Sequence, residues 1–432
     1  MKFNARFGML LSLIFLLNTA FAFGQYRYRK IFTGERLRMD FNMQGNSSFC
    51  EIEKEEFIRE PVWGRHRVHL LDTFLYGEMK IEMFDSLTGQ LIYSRGQSTR
   101  FQEWQSTKFA AIKDSFIRET ILMPFPRSSV KLVISIRNAI DFHPLRTIWF
   151  NPDDPVITHP NPFPDYELVK NMVKRKPENK LDIVFISEGY TAEERMNFLT
   201  RTEDLINRFL KWEPYTKFTE DINFYSLFVP STESGVDDPV DSIWIETALD
   251  LSFNTFGDDR YMTPANMQKI YDIVSDIPFD QLCILVNTDK YGGGGIYNSF
   301  TTLSAENEYT EFLLLHEFGH AFASLADEYY TSSVSYSEYF DYSVEPYQPN
   351  ITTLVNFASK WESMVPDTIP VPTPDSSIYE NVVGVFEGAG YSEKGIYRPF
   401  RTCTMKSKST LYYCPVCQKA IADMLRFYTS DD

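Results

Sequence analysis

Two regimes of apolar patterning divide the chain. Up to about Phe150 the apolar positions come in short stretches, and no long helical period is present. Arg36–Met43 alternates loosely, Val130–Ile136 reads as a strand, and Lys80–Phe84 and Gln90–Tyr93 flank the turn Asp85-Ser86-Leu87-Thr88-Gly89, a hairpin signal. These elements predict an antiparallel β-sandwich over residues 25–150. Residues 151–165 hold Asn151-Pro152-Asp153-Asp154-Pro155 and His159-Pro160-Asn161-Pro162 and read as a linker. Beyond it, Leu181–Ile186 is a buried strand, and Thr191–Trp212 an amphipathic helix with Thr191 as N-cap and Glu193 and Glu194 in its first turn. Asn223–Pro230 and Gln281–Asn287 are further strands, which gives a strand–helix–strand order. After the glycine run Gly292–Gly295 comes an apolar stretch, Ile296–Ser304, then a helix over Phe312–Ala323. A loop-rich region covers Tyr329–Asp375, and a last helix spans Pro415–Tyr428. Residues 166–432 thus predict a second domain of α+β or α/β class.

The first 24 residues do not fit either regime. Lys2 and Arg6 precede an apolar run, Gly8–Leu17, and Ala20-Phe21-Ala22 offers a small-x-small cleavage site. The run is too short to span a bilayer, so a signal peptide cleaved after Ala22 or Gly24 is expected. Export to the periplasm, the cell surface or the medium follows, with no stable membrane insertion.

Composition narrows the function. The 432-residue chain is 43% hydrophobic and 16% aromatic, enough for sizeable cores, and its net charge is −17. A nucleic-acid partner would need a basic stripe, so that class is excluded. A monomeric, well-solvated exported protein is the expectation.

The chemistry lies in His316-Glu317-Phe318-Gly319-His320. Four residues apart on a helix, the two imidazoles share a face and can bind one zinc ion. Glu317 is placed to act as general base on a zinc-activated water. The chain has six histidines, and burying two of them with a carboxylate beside Phe312-Leu313-Leu314-Leu315 would be costly without a metal. The other four, His66, His69, His143 and His159, all precede this domain. A carboxylate is therefore expected as third ligand: Asp327 first, Glu328 as runner-up. In metzincins a glycine ends the helix and the third ligand lies ten residues after the first. Here Ala323 stands at the glycine position and Ala326 at the ligand position, so one extra residue in the turn would bring Asp327 into place.

Metzincins also carry a methionine turn beneath the zinc, and Met405 in Cys403-Thr404-Met405-Lys406-Ser407 is the candidate. Cys403, Cys414 and Cys417 read as a disulfide from Cys403 to one of the other two; as ligands of a structural zinc they lack an evident fourth. The aspartates Asp237, Asp238 and Asp241 are candidate calcium ligands, with a solvated loop as the alternative. Tyr391 and Tyr397 are candidate donors to an oxyanion or to substrate, with plain packing as the alternative. The glycine run reads as a cleft rim, and Ile296–Leu303 as an edge strand able to pair with an extended peptide.

Taken in order, several segments resemble the bacterial IgA metallopeptidase family of metzincin-like zinc peptidases. They are Asp182–Thr191, Glu233-Ser234-Gly235, Gly292–Tyr297, the zinc motif with Ala326-Asp327-Glu328-Tyr329, and Tyr397-Arg398-Pro399 through Cys403-x-Met405 and Cys414-x-x-Cys417. The resemblance covers about Lys180–Tyr428. It implies zinc ligation by His316 and His320, a catalytic Glu317 and an N-terminal β-sandwich. The expected function is a secreted zinc endopeptidase acting on a protein or peptide. The alternatives are an exported protein- or glycan-binding module with a vestigial metal site, and a zinc amidase acting on cell-wall peptide.

Overall fold

The computed structural model describes residues 27–138, 140–161, 166–174, 177–330 and 340–430. The expected signal segment lies outside these residues, as do linker positions 162–165.

Strand alternation builds the N-terminal unit. One antiparallel sheet has the order β2-β1-β5, with β1 over Phe32–Asn46, β2 over Phe49–Glu60 and β5 over Ser115–Pro126. The other has the order β4-β3-β6-β7, with β3 over Met79–Asp85, β4 over Leu91–Gln97, β6 over Val130–Asn138 and β7 over Asp141–Phe150. A short helix, α1 (Arg100–Gln105), precedes β5. The two sheets enclose one core, to which Leu37, Met39, Phe41 and Met43 of β1 contribute alternate positions.

The intervening positions of β1 are charged and also buried. Arg38 bonds Asp40 and Glu60 within the sandwich and reaches Asp272 Oδ1 of the second unit at 2.7 Å. Arg36 donates to the Ile277 carbonyl at 3.0 Å and stacks over Phe279. The sheet is therefore covered on both faces, one apolar and one by a salt-bridged seam. Buried charges of this kind demand partners, and here the partners lie across the seam.

The second unit is a mixed sheet in the order β14-β15-β13-β9-β10-β8. Its members are β8 (Glu167–Met172), β9 (Leu181–Glu188), β10 (Ile222–Phe228), β13 (Gln281–Val286), β14 (Gly293–Ile296) and β15 (Phe300–Ser304). The central strands are parallel; β8 and β14 are antiparallel edges. Alternation again sorts the side chains. Leu181, Ile183 and Phe185 join the core with α2 (Arg195–Phe209), α4 (Thr310–Ala323) and α5 (Pro415–Thr429), while Val184 and Ile186 face α3 (Met267–Ile273). Two short pairs complete the fold, β11 (Leu251–Ser252) with β12 (Thr263–Pro264) and β16 (Phe386–Ala389) with β17 (Ser392–Arg398). Among the described residues no helix is long and apolar enough to cross a membrane.

One expectation about strands needs correction. The stretch Ile296–Ser304 is not one edge strand. The chain turns at Asn298, whose φ is 58°, and β15 is enclosed between β14 and β13. The edge is the glycine strand. Side-chain periodicity carried no signal there, because glycine has none.

Candidate metal centre

Helix α4 lies against β14 and β15 and carries the site. Thr310 ties its start to the loop through its hydroxyl, which donates to the Asn307 carbonyl at 2.6 Å. Its end is set by Ser324, which adopts the left-handed region (φ 52°) and whose N–H bonds back to the helix. The turn that a glycine makes in the metzincin pattern is made here one residue later, by serine. That single shift carries Asp327, and not Ala326, to the imidazoles.

Three acceptor atoms converge there. His316 Nε2 lies 3.0 Å from Asp327 Oδ1, His320 Nε2 lies 3.4 Å from it, and the two Nε2 atoms are 3.2 Å apart. The far side of each ring is committed. His316 Nδ1–H donates to the Thr404 carbonyl at 3.0 Å and His320 Nδ1–H to the Leu325 carbonyl at 2.6 Å. Those bonds fix the tautomer with both Nε2 lone pairs turned inward. Asp327 Oδ1 is buried without a hydrogen-bond donor. Three lone pairs facing one another repel unless a proton or a metal cation sits between them. A tetrahedral zinc, with bonds of about 2.0–2.1 Å, would set its ligand atoms roughly 3.3 Å apart, which matches the observed spacing. The residues fit the metal.

The electrostatics agree. Burial works against charge on His320, yet the Asp327 carboxylate outweighs it and raises the imidazole to about 9. Burial likewise opposes ionisation of Asp327, but the two imidazoles hold it far below the usual carboxylate range. The pocket attracts positive charge.

Around this centre the other candidates separate. Glu317 is half-buried and faces a cleft of about 600 Å³ that the two histidines also line; burial raises its carboxyl, with the imidazoles opposing. Met405 is fully buried beneath α4, where a Cβ on Gly319 would meet its Sδ at 3.0 Å. Tyr391 hydrogen-bonds Asp327 Oδ2 through its hydroxyl, so it positions the carboxylate expected as third ligand. Tyr397 pairs its backbone with Thr352 and does not line the cleft. Asp237 accepts from the Ile245 N–H at 2.6 Å and Asp238 pairs with Lys290 at 2.7 Å.

Glu328, adjacent to Asp327, turns away from the centre. Its N–H donates to the Met405 carbonyl at 2.8 Å, and its side chain meets Asn350 at 3.0 Å and Cys417 at 3.2 Å. The expected disulfide is not formed. All five cysteines are free thiols, and Cys403 Sγ and Cys417 Sγ stand 3.8 Å apart, against about 2.0 Å for a bond. The sulfurs instead gather around the Glu328 carboxylate.

Several cleft residues carried no signal in the sequence. Arg260, Tyr291, Lys406 and Lys408 line it from the second unit, and Glu78, Ser98, Thr99 and Glu103 from the sandwich. Tyr329, two residues after Asp327, could have been found by proximity; its ring stacks with His316 at 6.4 Å. The floor is β14. A Cβ on Gly295 would lie 2.3 Å from the Glu317 carbonyl oxygen, so only glycine lets the strand lie on the metal helix.

Comparison with known proteins places this chain in a family. The family described as IgA Peptidase M64 matches residues 170–379 and 375–425, and the one described as Peptidase M64 N-terminus matches residues 27–144. No curated protein matches the chain.

Proposed function

The chain belongs to the IgA Peptidase M64 family and is a metallopeptidase, and on that premise we propose that it is an exported zinc endopeptidase with Glu317 as its general base. The observation that carries this reading is the convergence of His316 Nε2, His320 Nε2 and Asp327 Oδ1 beside the Glu317 carboxyl. His316, His320 and Asp327 would hold the zinc, which when bound would supply the Lewis acidity for lowering a water's pKa towards about 7 and for polarising a carbonyl. Glu317 takes the proton from the attacking water at a carboxylate oxygen. It then delivers that proton to the leaving amine nitrogen as the C–N bond breaks. Tyr391 and the Thr404 and Leu325 carbonyls keep the ligands oriented throughout.

The substrate lies extended along β14. Gly293 bonds outward to Arg260 and Met262, and the Tyr297 carbonyl accepts from Ser98 N–H. Strand alternation places the N–H and C=O of Gly295 outward between those anchors, a short edge suited to a peptide backbone. The substrate class is secreted or host-derived protein, with immunoglobulin A as the case the family description names. Export rests on the leader, and the mature chain is expected to begin at Phe23 or Gln25.

Glu317→Ala is the test. Bound zinc and melting temperature should stay near wild type while cleavage of casein and of immunoglobulin A is lost. Full activity in that variant would overturn the mechanism.

A further inference from the structure

A second set of donors lies one residue from the catalytic third ligand. Cys403, Cys414, Cys417 and Glu328 are all buried, and their ligand atoms lie within 4.8 Å of one another. We propose that these four residues bind a second zinc ion, a closed structural site distinct from the catalytic centre.

Four observations support it. The donor set, three thiolates and a carboxylate with no open face, has the composition and closure of a structural zinc site. The spacing fits: zinc–sulfur bonds of about 2.3 Å at tetrahedral angles separate two sulfurs by roughly 3.8 Å, and Cys403 Sγ and Cys417 Sγ stand at 3.8 Å. Glu328 Oε2 is buried with no hydrogen-bond partner although Asn350 and Cys417 engage Oε1. The backbone is arranged for metal-bound sulfur as well. Cys414 is the N-cap of α5 with Pro415 at its first position, so Cys414 and Cys417 sit where the helix dipole favours thiolates, and the Cys414 N–H donates to Cys403 Sγ at 3.3 Å. Three thiolates and a carboxylate leave the ion overcompensated, and the fully buried Arg398 supplies positive charge that acts on Glu328.

The site would brace the catalytic one. Glu328 adjoins Asp327, and Cys403 adjoins Thr404, whose carbonyl holds His316. The Glu328 N–H to Met405 carbonyl bond joins the two segments. A metal here therefore fixes the third ligand, the methionine turn and one histidine through short lengths of backbone.

Metal analysis of the full chain, purified without chelator, tests this independently of activity. Two zinc ions per chain are expected, together with five titratable thiols after denaturation in chelator. The double variant His316→Ala/His320→Ala should retain one ion. When that ion is replaced by cobalt, thiolate-to-cobalt charge-transfer absorption should appear in the near ultraviolet. Cys417→Ser should keep at most one ion, and its catalytic zinc should bind roughly tenfold more weakly. One zinc per wild-type chain, three thiols instead of five, or a cobalt spectrum without thiolate bands would each overturn the proposal. The wild-type counts decide the matter even if a variant fails to fold. A second ion would leave the peptidase reading standing, and its absence would too.

Discussion

Asp327 and Glu328 are consecutive carboxylates with opposite surroundings. Asp327 joins two imidazoles at the wall of an open cleft, beside the half-buried Glu317. Glu328 joins three sulfurs in a fully buried pocket. An extended segment sends neighbouring side chains to opposite sides, so one peptide unit serves two environments. The difference separates openness from closure: a cluster that keeps a face towards solvent can do chemistry on what arrives, and a closed one can only hold the chain.

The sharpest way to break this comparison is to loosen the segment both acids share. Asn350 is fully buried and clasps it, accepting from Ala326 N–H at 2.7 Å and donating to the Ala326 carbonyl at 2.8 Å and to Glu328. Asn350→Ala leaves these groups unsatisfied and should cost about 3 kcal/mol, read as a lowered denaturant midpoint, with weaker metal retention at both clusters. A site outside both clusters isolates the pH dependence of the fold. Burial in the sandwich raises Glu119 to about 7, against the opposing pull of Arg100. Its proton favours the folded state, so the contribution is full below the ordinary carboxyl range near 4.5 and fades as pH rises through about 7. The Glu119 contribution to thermal stability should fall between pH 4.5 and pH 7 and level off above it, and Glu119→Gln should flatten that fall by up to about 3 kcal/mol.

Smaller changes should reach one acid only. Tyr391→Phe removes a bond to Asp327 and none to Glu328. Activity should drop roughly tenfold, with the unfolding midpoint nearly unchanged; an equal loss of stability would show that the tyrosine braces the fold and not the ligand. Least of all, Ser324→Gly relieves a left-handed serine at the end of α4. It should raise stability by less than about 1 kcal/mol, since relief of strain is offset by glycine's entropy, and calorimetry can read the sign.

These outcomes bear on what the sequence could disclose. The histidine pair was legible because both residues sit on one helix, where spacing alone brings them together. The approach of Asp327 to the imidazoles was legible through the same helix, once the turn was allowed one more residue. The placement of Glu328 among the cysteines was not. It depends on the bond from its N–H to the Met405 carbonyl, which brings together segments far apart in the chain. Without that contact the three cysteines had no visible fourth partner, and the exported context favoured a disulfide. The fold followed a similar rule. Alternation and apolar runs gave the sandwich and the parallel strands β9, β10 and β13. The glycine strand β14 and the hairpin β16–β17 gave little, the first because glycines have no pattern and the second because it lies where turn-forming residues crowd the sequence.

The cleft's outline follows from the seam. Its floor is backbone at β14, which offers any peptide the same hydrogen bonds. Discrimination among side chains is thereby left to the walls, and one wall, with Glu78 and Glu103, belongs to the sandwich. With a peptide along β14 as proposed, selectivity would be written partly in a unit that holds none of the proposed catalytic residues. Exchanging loops of that unit could redirect the enzyme to new substrates while its reactive machinery stays untouched.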